Sequence, residues 1–222
     1  MRERSAVIFD LDDTLYREHD YVRSGFAAVS RRLAAEPGAP DAAALYAELE
    51  AEWLANGRGR VFDVVAAAHG LHTPVAELVD TYREHEPALE LYPDAERALQ
   101  RLAREGAAVA VLTDGKASVQ RRKLRALGLD RRIACIVVSD DYGPDAWKPS
   151  TVPFERALER LGVPAGEAVY VGDNPAKDFI GARALGLGTV RVKRAIGDHS
   201  GIVLDAAYEA DLTIASLDEL WP

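Results

Sequence analysis

The chain has 222 residues, 48% of them hydrophobic, and a formal net charge of −9. That length supports one sizeable core or a core with a small second domain, and the acidic balance argues against nucleic-acid binding, which needs a basic face. A single cysteine excludes an internal disulfide framework and fits a reducing, cytoplasmic setting, and no apolar run reaches the roughly 18 residues of a membrane span.

The opening Met1-Arg-Glu-Arg4 has no signal-peptide pattern and leads into Ala6–Phe9, a short apolar run that reads as a buried strand. Asp10-Leu-Asp-Asp-Thr-Leu15 follows directly. Asp10 and Asp12 converge where the chain must turn, and they repel unless a cation or a shared proton relieves them. A hard divalent ion is the natural partner, and an acidic surface turn is the plain alternative. From about Tyr16 to Glu90 no convincing strand occurs. Helical spacing marks Tyr21–Ala35, Asp41–Ala55, Val61–His69 and Pro74–His85, with Pro37-Gly38, Asn56-Gly57 and Gly70 between them. This predicts a helical bundle inserted after the first strand. Within it, Asn56-Gly-Arg-Gly-Arg60 sets two arginines among glycines. Arg58 and Arg60 suit recognition of carboxylate, phosphate or sugar oxygens, or else are solvated in a flexible turn. Tyr16 and Arg17 form a second candidate pair just past the acidic turn.

Beyond Glu90 helices and strands alternate. Helical stripes run over Asp94–Glu105, Ser118–Leu127 and Pro153–Leu161; strand-like runs cover Val109–Leu112, Ile133–Val138, Ala168–Val171 and Thr189–Val192, with a weaker one at Leu212–Ile214. Cys135 reads as a small buried hydrophobe. The alternation predicts an α/β fold with a doubly wound parallel sheet. Three more polar clusters fall at strand ends or in loops after them, the edge where such sheets bind ligands. Thr113-Asp-Gly115 offers a hydroxyl and close backbone N–H groups to phosphate oxygens. Trp147-Lys-Pro149 offers one fixed cation, Lys148. Gly172-Asp-Asn-Pro-Ala-Lys-Asp178 places Asp173 and Asp178 around what reads as a Pro-started helix, where one or both could complete a metal site. Lys116, Lys123 and Lys177 read as solvated charges. Taken singly, each cluster has an ordinary structural explanation.

Taken together, Asp10-x-Asp-x-Thr-Leu15, Thr113 after its strand, Lys148 and Gly172-Asp173-x₄-Asp178 resemble the four motifs of the haloacid dehalogenase superfamily, and the helical insert resembles that superfamily's type-one cap. The resemblance implies a Rossmann-like catalytic core over 1–15 and 91–222 and a cap over 16–90. It implies that Asp10 is a nucleophile forming an aspartyl-phosphate and that Asp12 protonates the leaving oxygen and later activates water. It further implies Mg²⁺ held by Asp10, the Asp12 backbone carbonyl and Asp173, with phosphoryl oxygens held by Thr113 and Lys148 and Asp178 orienting Lys148 or metal-bound water. Asp13 would face away or fix the turn. Asp114 departs from the Asn common at that place. Asp114 and Gly115 are counted with the substrate-binding turn. The expected activity is phosphatase action on a small phosphorylated metabolite, because an acid at Asp12 serves an alkoxide leaving group. A phosphomutase of the same superfamily is the nearest enzyme alternative. A phosphoaspartate receiver switch, which is a binding module, is the alternative of another class.

Overall fold

The computed structural model describes residues 5–220; Met1–Arg4, read above as lacking a signal peptide, lie outside them. The chain divides into two compact units, one formed by 1–18 with 89–222 and one by 19–88.

The first unit is built on six parallel strands: β1 (Ala6–Phe9), β2 (Ala108–Thr113), β3 (Cys135–Val138), β4 (Ala168–Gly172), β5 (Gly188–Val192) and β6 (Leu212–Ile214). Their order across the sheet is β3-β2-β1-β4-β5-β6. β1 is central, with Phe9 level with Val111 on one side and Val171 on the other. Successive side chains alternate between faces, and β1 is buried along its whole length. One face carries Ala6, Ile8, Leu112, Val137 and Tyr170 against Phe154, Ala157, Phe179 and Ala182. The opposite face carries Val7, Phe9, Val111 and Val171, also buried. Burial on both faces is why these strands are continuous apolar runs rather than alternating ones.

The helices of this unit are α5 (Pro93–Glu105), α6 (Ala117–Ala126), α7 (Val152–Leu161) and α8 (Ile180–Ala184). Pro93 opens α5, and left-handed Gly106 and Gly162 end α5 and α7, as stop signals should. The segment between Asp173 and Asp178 is a turn, not the expected helix; helix begins only at Ile180. The Asn174 side chain accepts from the Ala176 N–H, and Asp178 Oδ2 reaches back to the Asn174 N–H. Side-chain bonds to nearby backbone of this kind compete with a helix.

The second unit holds most of α1 (Glu18–Leu33) and all of α2 (Ala42–Asn56), α3 (Val61–Ala68) and α4 (Val75–Glu84). Its own core contains Phe26, Val29, Leu33, Leu45, Leu49, Trp53, Val65 and Leu78. Asp41 caps α2 by accepting from the Ala44 N–H. Arg58 and Arg60 are exposed between α2 and α3. No helix among the described residues is long and apolar enough to cross a membrane.

Candidate active site

Asp10, Thr113 and Asp173 stand at the C-terminal ends of β1, β2 and β4, so parallel pairing delivers them to one edge of the sheet. The Asp10 N–H is held by the Val171 carbonyl at 2.8 Å, which fixes where its side chain leaves the strand. Lys148 reaches this edge from the loop before α7. Its ammonium, fully buried, donates to Asp10 Oδ1 at 2.6 Å, Asp178 Oδ1 at 2.7 Å and Tyr170 Oη at 2.8 Å. All three ammonium hydrogens therefore have acceptors. Two glycines make this possible. A Cβ on Gly172 would come within 2.5 Å of Asp178 Oδ2, and a Cβ on Gly181 would collide with the Pro149 carbonyl oxygen beside Lys148.

Carboxylate oxygens of Asp10, Asp173 and Asp178 lie within 4.8 Å of one another. Burial and this crowding set their ionisation. Burial pushes Asp10 up to about 7; Lys148 opposes the rise, and the charge on Asp178 adds to it. Burial raises Asp173 well above the carboxylate range, reinforced by Asp178 and Asp10. Burial would raise Asp178 too, but Lys148 and Lys177 outweigh it and hold its carboxyl low. Lys148 itself is lifted, because the carboxylates overcome the cost of burying its charge.

Asp12 sits elsewhere. Lys123 Nζ donates to its Oδ1 at 2.7 Å, the Tyr16 hydroxyl makes a short bond to the same oxygen, and Gln120 Nε2 donates to Oδ2 at 2.8 Å. Burial acts to raise Asp12, but Lys123 and these bonds bring it below the ordinary value. The solvated reading of Lys123 is thus corrected: its side chain is 5% exposed and paired. Lys177 is corrected as well, being half-buried and 3.5 Å from Asp114. Lys116 is exposed, as expected.

Thr113 is fully buried, and its hydroxyl accepts from Gln120 Nε2 at 2.6 Å. Asp114 accepts from Ser139 Oγ at 2.7 Å and from the Lys148 N–H at 3.2 Å, so it ties the ends of β2 and β3 to the lysine loop. Gly115 forms the turn into α6. Asp13 adopts a left-handed φ of 51° and accepts from the Glu18 and Asp198 N–H groups, which fixes the turn. Buried Arg191 steadies the Asp173 backbone carbonyl at 3.2 Å, and Arg194 donates to the Thr14 carbonyl and to Asp94, both at 2.6 Å. Arg17 Nε is buried and has no hydrogen-bond partner. Tyr170, Gln120, Lys123, Arg191 and Arg194 were not singled out as site residues from sequence. Lys123 carried a readable signal: it lies four residues after buried Val119 and four before buried Leu127, inside the apolar stripe of α6. A charge there must find a buried partner.

The haloacid dehalogenase-like hydrolase family model matches residues 5–186. A glyceraldehyde 3-phosphate phosphatase from Methanocaldococcus jannaschii is 33% identical, covering 97% of this chain and 94% of the relative. A ribulose-1,5-bisphosphate 5-phosphatase from Halopiger xanaduensis is 34% identical, covering 97% of both. Among solved structures, a HAD phosphatase from Thermococcus onnurineus superposes with a TM-score of 0.63 at 28% identity, covering 97% of this chain and 95% of that one. The chain therefore belongs to the haloacid dehalogenase-like hydrolase family, as a phosphatase-type enzyme.

Proposed function

We propose that the protein hydrolyses a small phosphomonoester by attack of Asp10 on phosphorus, giving an aspartyl-phosphate that water then cleaves. The observation that carries this is the position of Asp10: at the C-terminal edge of the central strand, with one oxygen pinned by a buried lysine. That bond fixes the attacking carboxylate, and the same ammonium offsets charge where a phosphate would arrive. Thr113, Asp114 and Gly115 contribute the β2-end turn, whose hydroxyl and backbone N–H groups suit phosphoryl oxygens. Asp178 orients Lys148 rather than touching substrate.

The site fits a hard divalent cation. Oxygens of Asp10, Asp173 and Asp178 cluster within 4.8 Å, while the fully buried Lys148 pairs with Asp10 and Asp178 and leaves Asp173 without a cation in the cluster, which supports a bound cation there. Asp10, Asp173 and the Asp12 backbone carbonyl would hold Mg²⁺. When bound, the ion supplies charge neutralisation for the phosphoryl group.

Asp12 is proposed as the proton-transfer residue. Held as an anion, it is set to take a proton from the attacking water; for ester cleavage it must first be protonated, which an incoming phosphate anion beside it favours. Arg58 and Arg60 are proposed substrate-recognition groups of the helical unit. Relatives named for glyceraldehyde 3-phosphate, ribulose 1,5-bisphosphate and phosphoserine support a small phosphorylated metabolite as substrate. The test is a panel of such esters assayed for inorganic phosphate. Activity should vanish with chelator and return with Mg²⁺; full activity in excess chelator would defeat the metal assignment.

A further inference from the structure

Gln120 and Lys123 lie three apart on α6, so both side chains leave one face of the helix. Both are buried, at 2% and 4% exposure. Together with Tyr16 they place three donors on one carboxylate: Lys123 and Tyr16 on Asp12 Oδ1, and Gln120 on Oδ2. The Gln120 amide also donates to Thr113 Oγ1 at 2.6 Å, so one NH₂ group joins the end of β2 to the turn after β1. Lys123 is further fixed by the Tyr16 ring, 5.9 Å from its ammonium. Buried ion pairs are poor investments in stability, since an apolar pair of similar volume serves a core as well or better. Spending a buried lysine and glutamine here accomplishes something an apolar pair cannot, namely aiming a carboxylate.

We propose that Lys123 and Gln120 are positioning residues that orient Asp12 for proton transfer to and from the reacting oxygens, and that Gln120 couples this orientation to Thr113. This rests on the reading of Asp12 as the proton-transfer residue. Neither side chain touches substrate; Lys123 acts through Asp12, and Gln120 acts through Asp12 and Thr113. Lys123 keeps the carboxylate turned toward α6, where Gln120 sets its plane. The pair thereby fixes the distance between the proton-transfer group and the phosphoryl-holding hydroxyl before any substrate binds.

The test is a leaving-group series. kcat/KM, which reports steps through ester cleavage, is measured for aryl phosphates from p-nitrophenyl to phenyl phosphate in the wild type, Lys123→Met, Gln120→Leu, Asp12→Asn and the Lys123→Met/Asp12→Asn double variant. A poorer leaving group needs its proton more. Lys123→Met should therefore slow phenyl phosphate roughly tenfold or more beyond its effect on p-nitrophenyl phosphate. Gln120→Leu should act in the same direction. In the Asp12→Asn background, Lys123→Met should add no further leaving-group dependence, because its route to the substrate is gone. Equal slowing of every ester by Lys123→Met, or effects that simply add to those of Asp12→Asn, would overturn the proposal and make the pair a structural brace. If Lys123→Met does not fold, Lys123→Arg keeps the charge and tests orientation alone, with the same steepening expected and its absence counting against the idea. Should Asp12→Asn itself show no leaving-group dependence, the assignment of Asp12 fails first, and that outcome is distinguishable from failure of Lys123 alone.

Discussion

Asp10 and Asp12 are two residues apart, and each faces a lysine, at 2.6 Å and 2.7 Å. Yet Asp10 is pushed up to about 7, whereas Asp12 is pulled below its ordinary value. Distance to the nearest cation does not explain this; the share of that cation does. Lys148 is divided between Asp10 and Asp178, with Asp173 close by and unrelieved. Lys123 pairs with Asp12, and two further donors assist it. Burial acts to raise both carboxyls; at Asp10 the shared Lys148 is offset by the charge on Asp178 and leaves the rise in place, whereas Lys123 and two further donors outweigh burial at Asp12. The site uses both outcomes on one turn.

The largest way to break the comparison is to remove one anion. Asp10→Asn retains shape and should lower turnover on the order of 10³-fold or more, as loss of a nucleophile does. Near-normal kcat would move the attack to water or another residue. Removing the shared cation comes next. Lys148→Met strands Asp10 and Asp178 as buried carboxylates and should cost about 3–5 kcal/mol of unfolding free energy. Denaturant titration at neutral pH measures it, and a loss below about 1 kcal/mol would show that the carboxylates simply take up protons.

The third test reads the two ionisations directly, in metal-free protein. A carboxyl raised from 3.8 to about 7 binds more protons folded than unfolded, so stability falls as pH rises through that window. Asp10→Asn should remove this decline and become more stable than the wild type near neutral pH, with little difference near pH 4; each pKa unit corresponds to about 1.4 kcal/mol. Asp12 has the opposite sign. Its lowered pKa contributes stability above 3.8 that is lost as pH falls, so Asp12→Asn should be the less stable variant at neutral pH. Parallel pH profiles for the two variants would erase the distinction.

The smallest expected effect lies in the helical unit and serves as a control. Glu36 accepts from the His72 and Thr73 N–H groups and makes a short bond with the Thr73 hydroxyl. These bonds hold its carboxyl at about 2, below the ordinary 4.5. The contribution is full above 4.5 and disappears as pH falls toward about 2. Glu36→Gln should lower the melting temperature slightly at pH 7, and the difference should close in acid. A difference that persists below about pH 2 would assign the effect to lost shape rather than lost charge.

Much of the sheet was legible because its strands are short β-branched runs bounded by turn residues, and a parallel sheet buried on both faces leaves that imprint. β1 and β6 coincide with their predicted spans, and β2 and β4 extend theirs by one or two residues. β3 starts later than the apolar run because Ile133 closes a turn onto the Leu129 carbonyl. Asp10, Lys148, Asp173 and Asp178 were visible as polar residues at strand ends or in the loops beyond, and the structure brings them together. Tyr170 was hidden inside an apolar strand, where a phenol looks like any large core residue. Lys123 and Gln120 were hidden by habit, since charges on a helix are usually solvated. The sequence around Asn174 reads as a helix start because Pro175 opens turns as readily as helices.

The central place of β1 has a consequence for the order in which the chain is made. Ala6 pairs with Ala108 and with Ala168, so the first strand synthesised has the longest wait for a neighbour and the sheet cannot start until β2 is made. At about 5–20 residues per second on the ribosome, Val-Ile-Phe waits roughly 5–20 s before β2 even exists. The whole of 19–88, with the residues of its own core, is synthesised in that interval. Until then the nascent chain carries an unpaired apolar strand, and chaperone binding during synthesis should concentrate on those few residues.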